Sequence, residues 1–291
     1  MKEQKNHMAM KGSNRFHFLP LRFFAIVAVI LLSAGCATPP DRSDTEAYAE
    51  YQEINDPLEP MNRGFFQLNR ALDTWFLKPL AIMYREFLPP PFQRGIHNFL
   101  NNLHTPVVLA NDLLQGEMGR AGTTFSRFLV NTTLGVGGLG DPATELGWQD
   151  HDEDFGQTLA VWGLPEGPYL MLPVLGPSNP RDGVGLAVDT FVLDPVAWWV
   201  RADNSDRAWI GYTRAGVTGI DKRARIYEEL EELEKTSLDL YASIRSLYRQ
   251  HRNSEINQGK ESADTLGPSL DELPAMPDIP EIPNEDASKP Q

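Results

Sequence analysis

The chain has 291 residues, of which 26 are Lys or Arg and 40 are Asp or Glu, so its formal net charge is −14. Hydrophobic residues at 41% and charged residues at 23% are typical of a globular protein and exclude a wholly disordered chain. The acidic balance argues against nonspecific nucleic-acid binding, and the single cysteine, Cys36, excludes an intramolecular disulfide and a cysteine-rich zinc site.

Residues 1–35 have the pattern of an export signal. Basic residues come first, and an apolar run follows from Phe23 to Leu32, which is shorter than the roughly 20 residues that a spanning helix needs. Small residues at 33–35 then lead to Cys36. This order resembles a bacterial lipoprotein signal, which implies cleavage before Cys36 and acylation of that cysteine. The alternative is an ordinary signal peptide or membrane anchor with an incidental cysteine.

The residues after the cysteine indicate which membrane holds the anchor. In the lipoproteins that this signal resembles, an Asp directly after the cysteine usually retains the protein in the inner membrane. Ala37 and Thr38 stand there instead. The resemblance therefore implies the outer membrane of a Gram-negative bacterium, with the body on the periplasmic side. Two or more acyl chains hold such an anchor stably, because each buried methylene contributes about 0.8 kcal/mol.

Composition divides the rest of the chain into a tether at residues 36–54, a body at 55–253 and an acidic tail at 254–291. The tail combines nine acids, two bases and six prolines with few large apolar residues, so we expect it to be disordered. Residues 57–130 carry a net charge of +2, which favours contact with anionic head groups, although chance fluctuation explains it equally well. No internal repeat is evident.

The first predicted helix runs from Leu58 to Phe76, with Asp56 as its N-cap and Pro57 just inside its start. Its apolar residues form a stripe about 100° wide: Leu58, Met61, Phe65, Leu68, Leu72, Trp75 and Phe76. The far side and one flank carry Asn62, Arg63, Phe66, Asn69 and Arg70. Either a second packing partner covers Phe66, or this helix has apolar contact on one side and a wet, lipid-handling surface on the other.

Three shorter helices are predicted after the proline triplet 89–91: one from Phe92 to Leu103, one from Pro106 to Leu114, and one from Arg120 to Thr133. A loop with four glycines follows, at Gly135, Gly137, Gly138 and Gly140. No Gly-Lys-Ser/Thr follows these glycines, so the loop does not match a phosphate-binding loop.

Residues 150–180 are predicted to be irregular, with short strand or helix pieces, because Pro and Gly interrupt them every few residues. Asp150, Asp152 and Asp154 alternate as in a calcium loop, but the required Gly and Glu are missing, so a solvated turn is favoured. The pair Trp198-Trp199 suits a membrane interface or a packed core equally well.

Residues 221–252 give the clearest helical pattern, which predicts one helix that docks on the body. Coiled-coil dimerisation is the weaker alternative. Enzyme motifs such as GxSxG, HExxH and the Walker sequence are absent, so the chain is predicted not to be an enzyme and to need no cofactor or metal. His97 and His104 are seven residues apart, a spacing that is more often structural than metal-binding.

Several sequence motifs, in this order along the chain, resemble those of the VacJ/MlaA family of outer-membrane lipoproteins over about residues 54–252. They are NDPLEPMNR from Asn55, FSRFLVNTTLG from Phe125, EDFGQTL from Glu153, Trp162-Gly163, Gly167-Pro168-Tyr169, Leu172-Pro173, and Gly176-Pro177 followed by Arg181-Asp182. The leader and the acidic tail fall outside the resemblance.

The resemblance implies a mainly α fold: a single compact body of amphipathic helices, forming a ring-like, membrane-embedded (monotopic) lipoprotein with a polar channel. It implies association with a trimeric porin. It also implies removal of misplaced phospholipid from the outer leaflet and transfer to a soluble periplasmic lipid carrier, which serves an inner-membrane ABC transporter.

A charged head group crossing hydrocarbon costs on the order of 20 kcal/mol by the idealised Born estimate, which a polar passage would largely remove. We therefore predict that Asn62, Arg63, Asn69 and Arg70 lie beside a head-group path, and that Gly135, Gly137, Gly138 and Gly140 let an adjacent loop gate it. The competing hypotheses are a structural lipoprotein that links porins to periplasmic partners, and a lipid hydrolase.

Overall fold

The computed structural model describes residues 43–44, 51, 54–202 and 207–257. These residues are mainly α-helical, as predicted. The predicted signal, most of the tether, Cys36 and nearly all of the acidic tail lie outside the described residues. The elements in chain order are α1 (Glu59–Leu72), a first π-helical turn (Asp73–Leu77), α2 (Lys78–Phe87), α3 (Pro90–Gln115), α4 (Met118–Thr133), α5 (Pro142–Glu145), α6 (Phe155–Val161), β1 (Leu170–Leu172), β2 (Gly176–Ser178), α7 (Pro180–Val188), a second π-helical turn (Asp189–Leu193), α8 (Pro195–Arg201), α9 (Ala208–Arg225), α10 (Tyr227–Thr236) and α11 (Leu240–Ile256).

The first predicted helix exists, and its apolar stripe is buried near its start, at Met61, but exposed at its far end. Phe66, on the predicted far side, is buried against the ring of Tyr241 at a centroid distance of 5.6 Å. Trp75 and Phe76, from the stripe, are exposed. A second packing partner, Tyr241, therefore covers Phe66, as the first of the two alternatives expects.

The predicted N-cap is also wrong, because Leu58 is the N-cap of α1 and the carboxylate of Asp56 is used elsewhere. Asp56 is buried, where it accepts hydrogen bonds from Asn62 Nδ2 at 2.7 Å and from the Tyr241 hydroxyl. Arg245 Nη1 donates to it at 2.7 Å. These contacts hold the start of α1 against α11, near the two ends of the described body.

The proline triplet ends α2 as predicted, but Pro106 does not end a helix. Helix α3, which is 26 residues long, continues through Pro106. The expectation of two helices is therefore wrong here. A proline inside a helix removes one backbone hydrogen bond and usually kinks or breaks it. Buried Val107, Val108 and Asn111 follow directly, and α3 packs against both α4 and α6. This packing supports the helix on either side of the proline.

The irregular stretch contains short pieces of regular structure, as predicted. Helix α6 is capped by Asp154, which accepts a hydrogen bond from the Gln157 N–H at 2.8 Å. Strands β1 and β2 then form an antiparallel hairpin in which Met171 faces Pro177. Met171 is buried beside Phe66 and Tyr241, so the hairpin closes this apolar cluster.

The single helix predicted at 221–252 is three helices. The first break is at Ile226 and the second spans residues 237–239. Asp239 accepts a hydrogen bond from the Ala242 N–H at 3.2 Å and so starts a new helix. Local capping therefore wins over the regular apolar spacing. Helix α11 does dock on the body, through Leu240, Ile244 and Tyr248.

No single helix among the described residues is both long enough and apolar enough to cross a membrane. One bent pair meets the length and composition criteria only when its two parts are taken together. The pair consists of Pro180–Leu193 and Pro195–Arg201, and the two parts meet at an angle of 62°.

We predict that Tyr241→Phe destabilises the body, because it removes a donor from the buried carboxylate of Asp56. The loss of such a bond costs about 1–3 kcal/mol, which corresponds to a fall in Tm of about 2–4 °C per kcal/mol for a chain of this size. Thermal unfolding measures it. Tyr212→Phe, at an exposed site, is the matched control, and equal Tm values for the two variants would contradict the prediction.

Candidate functional site

Polar and apolar side chains are distributed in the reverse of the pattern usual in soluble proteins. Among the described residues, more polar and charged side chains than apolar ones are buried. Large apolar side chains are exposed on most of the helices, and Trp75 at 76% and Phe87 at 77% are examples. Single exposed apolar residues are ordinary, but extensive apolar surface marks contact with a membrane or a partner.

A polar network fills the space between α3, α4 and α6. Asp112 accepts a hydrogen bond from Thr124 Oγ1 at 2.6 Å. Glu153 is 1% exposed, pairs with Arg120 at 2.6 Å and accepts a hydrogen bond from Gln115 at 2.7 Å. Burial raises the pKa of Glu153 despite the opposing effects of Gln115 and Arg120. The interior can hold these charges because each has a partner.

Asn62, one of the predicted head-group residues, joins α1 to the hairpin. Its Nδ2 donates to the backbone carbonyl of Tyr169 at 3.0 Å, and its Oδ1 accepts from the N–H of Met171 at 2.9 Å. The side chain is completely buried. It therefore takes the place of a neighbouring strand for this short segment, and no part of it faces solvent.

Asn69 repeats this arrangement two helical turns later. Its Nδ2 donates to the carbonyl of Leu172 at 2.8 Å, and its Oδ1 accepts from the N–H of Val174 at 2.7 Å. Val174 has a φ of 70°, a left-handed conformation that is strained for a β-branched residue. The seven-residue spacing of the two asparagines thus matches the hairpin that they hold.

Arg63 and Arg70 join α1 to the C-terminal helices. Arg63 pairs with Asp239 at 2.6 Å and with Glu59 at 2.7 Å, and the hydrogen bond to Asp239 raises the pKa of Arg63. Arg70 pairs with Glu234. All four predicted residues thus have protein partners, and a head-group path beside them stays a prediction. Both arginines keep more than 40% of their side-chain surface exposed.

The glycine loop closes the end of α4 with a fixed backbone. The N–H of Gly137 donates to Thr132 O and that of Gly138 to Asn131 O, each at 2.9 Å. Gly137 and Gly138 have φ values of 72° and 91°, which glycine adopts without strain. A Cβ on Gly135 would lie 2.4 Å from Asn131 O. These contacts explain the glycines by geometry, and a gating role stays a prediction.

An apolar cavity of about 760 Å³ lies between α3, α8 and α9. It is lined by Ile96, Phe99, Leu100, Leu103, Leu139, Pro195, Val196, Trp199, Trp209, Ile210, Thr213, Arg214 and Val217. The volume is within the range of about 300–1,000 Å³ typical of small-molecule pockets. Arg214 pairs with Asp194 at 2.5 Å, which neutralises the one charged side chain in the lining.

The sequence pattern does not predict this cavity, although Trp199 of the tryptophan pair lines it. Trp198 and Trp199 are each about half exposed, so the alternative that both pack in a core is wrong. The pairing of Asp194 with Arg214 joins separate helices. No periodicity of the chain indicates such a contact.

The other candidate residues have structural partners. His97 Nδ1 lies 2.8 Å from Asp221, and His104 Nε2 lies 3.6 Å from Asp152. In the part of the chain that the structure describes, no group of three His, Cys, Asp or Glu residues could hold a metal ion. Asp154 caps α6 and pairs with Arg252 at 2.7 Å.

Comparison with known proteins gives a consistent result. The family model described as MlaA lipoprotein matches residues 54–255. The intermembrane phospholipid transport system lipoprotein MlaA of Haemophilus influenzae is 33% identical over 248 residues, or 83% of this chain and 93% of that protein. The protein of the same name from Escherichia coli is 32% identical over 246 residues, or 83% and 91%. A solved chain from work on the structural basis for maintenance of bacterial outer membrane lipid asymmetry has a TM-score of 0.61 and 34% identity, and the match covers 69% of this chain and 99% of that one.

We predict an order of sensitivity among the four loop glycines. Gly135→Ala places a Cβ against two backbone oxygens, and Gly138→Ala places one 2.5 Å from the Asn102 side chain in a left-handed conformation. Gly137→Ala places its Cβ in open space, so its only cost is the strain of the left-handed backbone, about 1–2 kcal/mol. Gly140→Ala has ordinary contacts. Thermal unfolding should therefore rank Gly135 and Gly138 as most damaging, then Gly137, then Gly140.

Gly140→Ala is the control for this series. A larger loss of Tm at Gly140 than at Gly135 would contradict the ranking. Gly137→Asn, which tolerates the left-handed region, then tests the gate separately from folding. A well-expressed Gly137→Asn chain that leaves outer-leaflet phospholipid unchanged would count against a gate at this position.

Proposed function

Since this chain belongs to the MlaA lipoprotein family, we propose that it removes misplaced phospholipid from the outer leaflet of the outer membrane and passes it on for intermembrane transport. Such a flow maintains the lipid asymmetry of that membrane. The relatives named for this transport system support the proposal, and so does the solved chain described for lipid asymmetry.

The observation that carries this function is the reversed polarity of the body. Exposed apolar side chains suit the hydrocarbon of a bilayer, because in water they would be an aggregation hazard. Many of the buried side chains are polar and form hydrogen-bonded ionic networks beside small apolar clusters. A body of this kind, embedded from one side of the membrane, combines an apolar outer surface with a polar interior for head groups. The implied ring and channel belong to this proposal.

The cavity between α3, α8 and α9 supplies an apolar surface for acyl chains. Its lining is apolar apart from Thr213 and the neutralised pair of Arg214 with Asp194. A phospholipid needs both environments at once, because its head group is charged and its chains are not. Head-group transfer into hydrocarbon is the costly step, so the polar interior lowers the barrier while the cavity keeps the chains out of water.

The anchor and the partners complete the proposal. Acylated Cys36 holds the chain to the outer membrane on its periplasmic side. The phospholipid comes from the outer leaflet beside a trimeric porin and leaves on a soluble periplasmic carrier. The protein works without catalysis or a cofactor, so purified protein should release no hydrolysis products from labelled phospholipid. Nucleic acid is not a partner, as the acidic composition indicates.

A deletion strain tests the function directly. We predict more phospholipid in the outer leaflet after deletion, with normal levels restored by the full-length gene. Cys36→Ser should fail to restore them, because the chain then lacks its acyl anchor. Chemical labelling of surface phospholipid measures the change. A deletion with no surface-phospholipid defect would instead favour the structural lipoprotein that links porins to periplasmic partners.

Filling the cavity should block transfer without unfolding the body. We predict that Leu100→Trp, which places a larger side chain in the cavity lining, leaves outer-leaflet phospholipid as high as in the deletion strain. The matched control is Leu247→Trp, at a half-exposed helical site on α11. Equal restoration by both variants at equal protein levels would remove the cavity from the mechanism.

A further inference from the structure

Two segments of the chain share a sequence pattern at a constant spacing of 116 residues. Residues 71–85 read ALDTWFLKPLAIMYR and residues 187–201 read AVDTFVLDPVAWWVR, with the same residue at seven of 15 positions. Seven matches in 15 positions are too few to establish a repeat from the sequence alone.

The two segments also share an uncommon backbone conformation. Each contains a π-helical turn that begins at its Asp, at Asp73–Leu77 and at Asp189–Leu193. In each, the N–H five residues after the Asp donates to the Asp carbonyl. The side chains at the third and fourth positions are exposed in both copies: Trp75 and Phe76 in the first, and Phe191 and Val192 in the second. Isolated π-helical turns are rare and occur frequently at functional sites.

Each Asp is held by a helix that follows the other copy in the chain. Asp73 forms a two-point ion pair with Arg223, with N–O distances of 2.8 and 3.1 Å. Arg223 belongs to α9, which follows the second copy. Asp189 accepts a hydrogen bond at 3.0 Å from Asn111, which belongs to α3 and follows the first copy. It also accepts one from the Phe155 N–H at 2.9 Å. The latches are therefore reciprocal.

We propose that residues 71–80 and 187–196 are two copies of one lipid-inserting corner. The exposed side chains of each π-helical turn enter the hydrocarbon of the membrane, and the Asp latch holds the turn in place. In membrane transporters built from larger structural repeats, the substrate site lies at the interface between the copies. The apolar cavity is lined by α3, which follows the first copy, and by α8 and α9, which overlap or follow the second copy. The inference rests on the proposed function, which places the protein in a membrane.

The differences between the copies favour lipid over protein as the occupant. The residues that build the turn are identical, namely the Asp, Thr, Leu and Pro of each copy. The exposed pair changes from Trp-Phe to Phe-Val, which alters shape but keeps it apolar. A protein partner requires matched shape, whereas acyl chains require only apolar surface.

At the second copy, a nearby positive charge and the adjoining cavity also favour lipid as the occupant. Arg201 lies over the ring of Phe191 at 5.2 Å and donates to the Phe191 carbonyl at 2.8 Å. A cation directly behind an exposed aromatic ring suits the boundary between anionic head groups and acyl chains. Pro195 and Val196 of the same copy line the cavity, so the inserted surface leads into the proposed acyl-chain site.

Photo-crosslinking in cells tests the occupant. A photoreactive phenylalanine analogue is placed at Trp75, at Phe191 or at Leu238 of the full-length chain. Leu238 is fully exposed between Ser237 and Asp239, outside either copy, and is the control. We expect phospholipid adducts at Trp75 and Phe191 well above the level at Leu238. A chain dimer or a porin adduct in their place would overturn the proposal, and so would lipid adducts no more abundant than at Leu238.

The latches are tested in the same cells. We expect Asp73→Ala to reduce the lipid adduct at Trp75 to the level at Leu238 and leave the adduct at Phe191 unchanged. Asp189→Ala should have the opposite effect. Glu86→Ala, which removes an exposed carboxylate nearby, is the control. The adduct at the untouched copy reports that the chain is folded, and parallel loss of both adducts would overturn the idea of separate latches.

The phospholipid assay separates this inference from the proposed function. Protein adducts at both sites, in a chain that restores outer-leaflet phospholipid, would overturn only the lipid-inserting corners. Lipid adducts at both sites, together with a deletion strain that has no phospholipid defect, would overturn only the transport function.

Discussion

The carboxylate of Asp56 lies inside the body, where Asn62, Tyr241 and Arg245 all donate to it. Bonds of this kind have to hold this protein together, because its apolar side chains face outward more than inward. Buried hydrogen-bonding groups are costly to leave without a partner, so these bonds fix the arrangement of the helices. The arginine pairs of Asp73 and Asp194 are further examples. A buried charge is costly alone, so removing one member of such a pair leaves the other uncompensated.

The sequence predicts this fold well where local patterns decide it, and poorly where the surroundings decide it. The mainly α class, the break at the proline triplet and the short pieces of 150–180 follow from local residue preferences. The inward face of α1 does not, because apolar periodicity identifies a stripe on the helix but does not show which side of the helix packs on the body. Phe66 was assigned to the outer side for that reason. Pro106 and Ser237 show the same limit, since packing and capping outweigh the local pattern there.

The candidate site divides in the same way. Family resemblance identifies the lipid function, and the spacing of Asn62 and Asn69 marks a true feature of the fold. That feature is the support of a strand by two amide side chains. Residue type alone does not tell a head-group ligand from such a support, because both need a hydrogen-bond donor and an acceptor on one helix flank. The cavity escaped prediction because three separate helices build it.

The bond between Asp56 and Tyr241 joins residues 185 positions apart in the chain. A polypeptide is synthesised with its amino end first, so Asp56 emerges long before Tyr241 and Arg245. Until those partners arrive, the carboxylate stays hydrated and α1 has nothing to close against. The start of α1 therefore becomes fixed only when the last helix of the body is present.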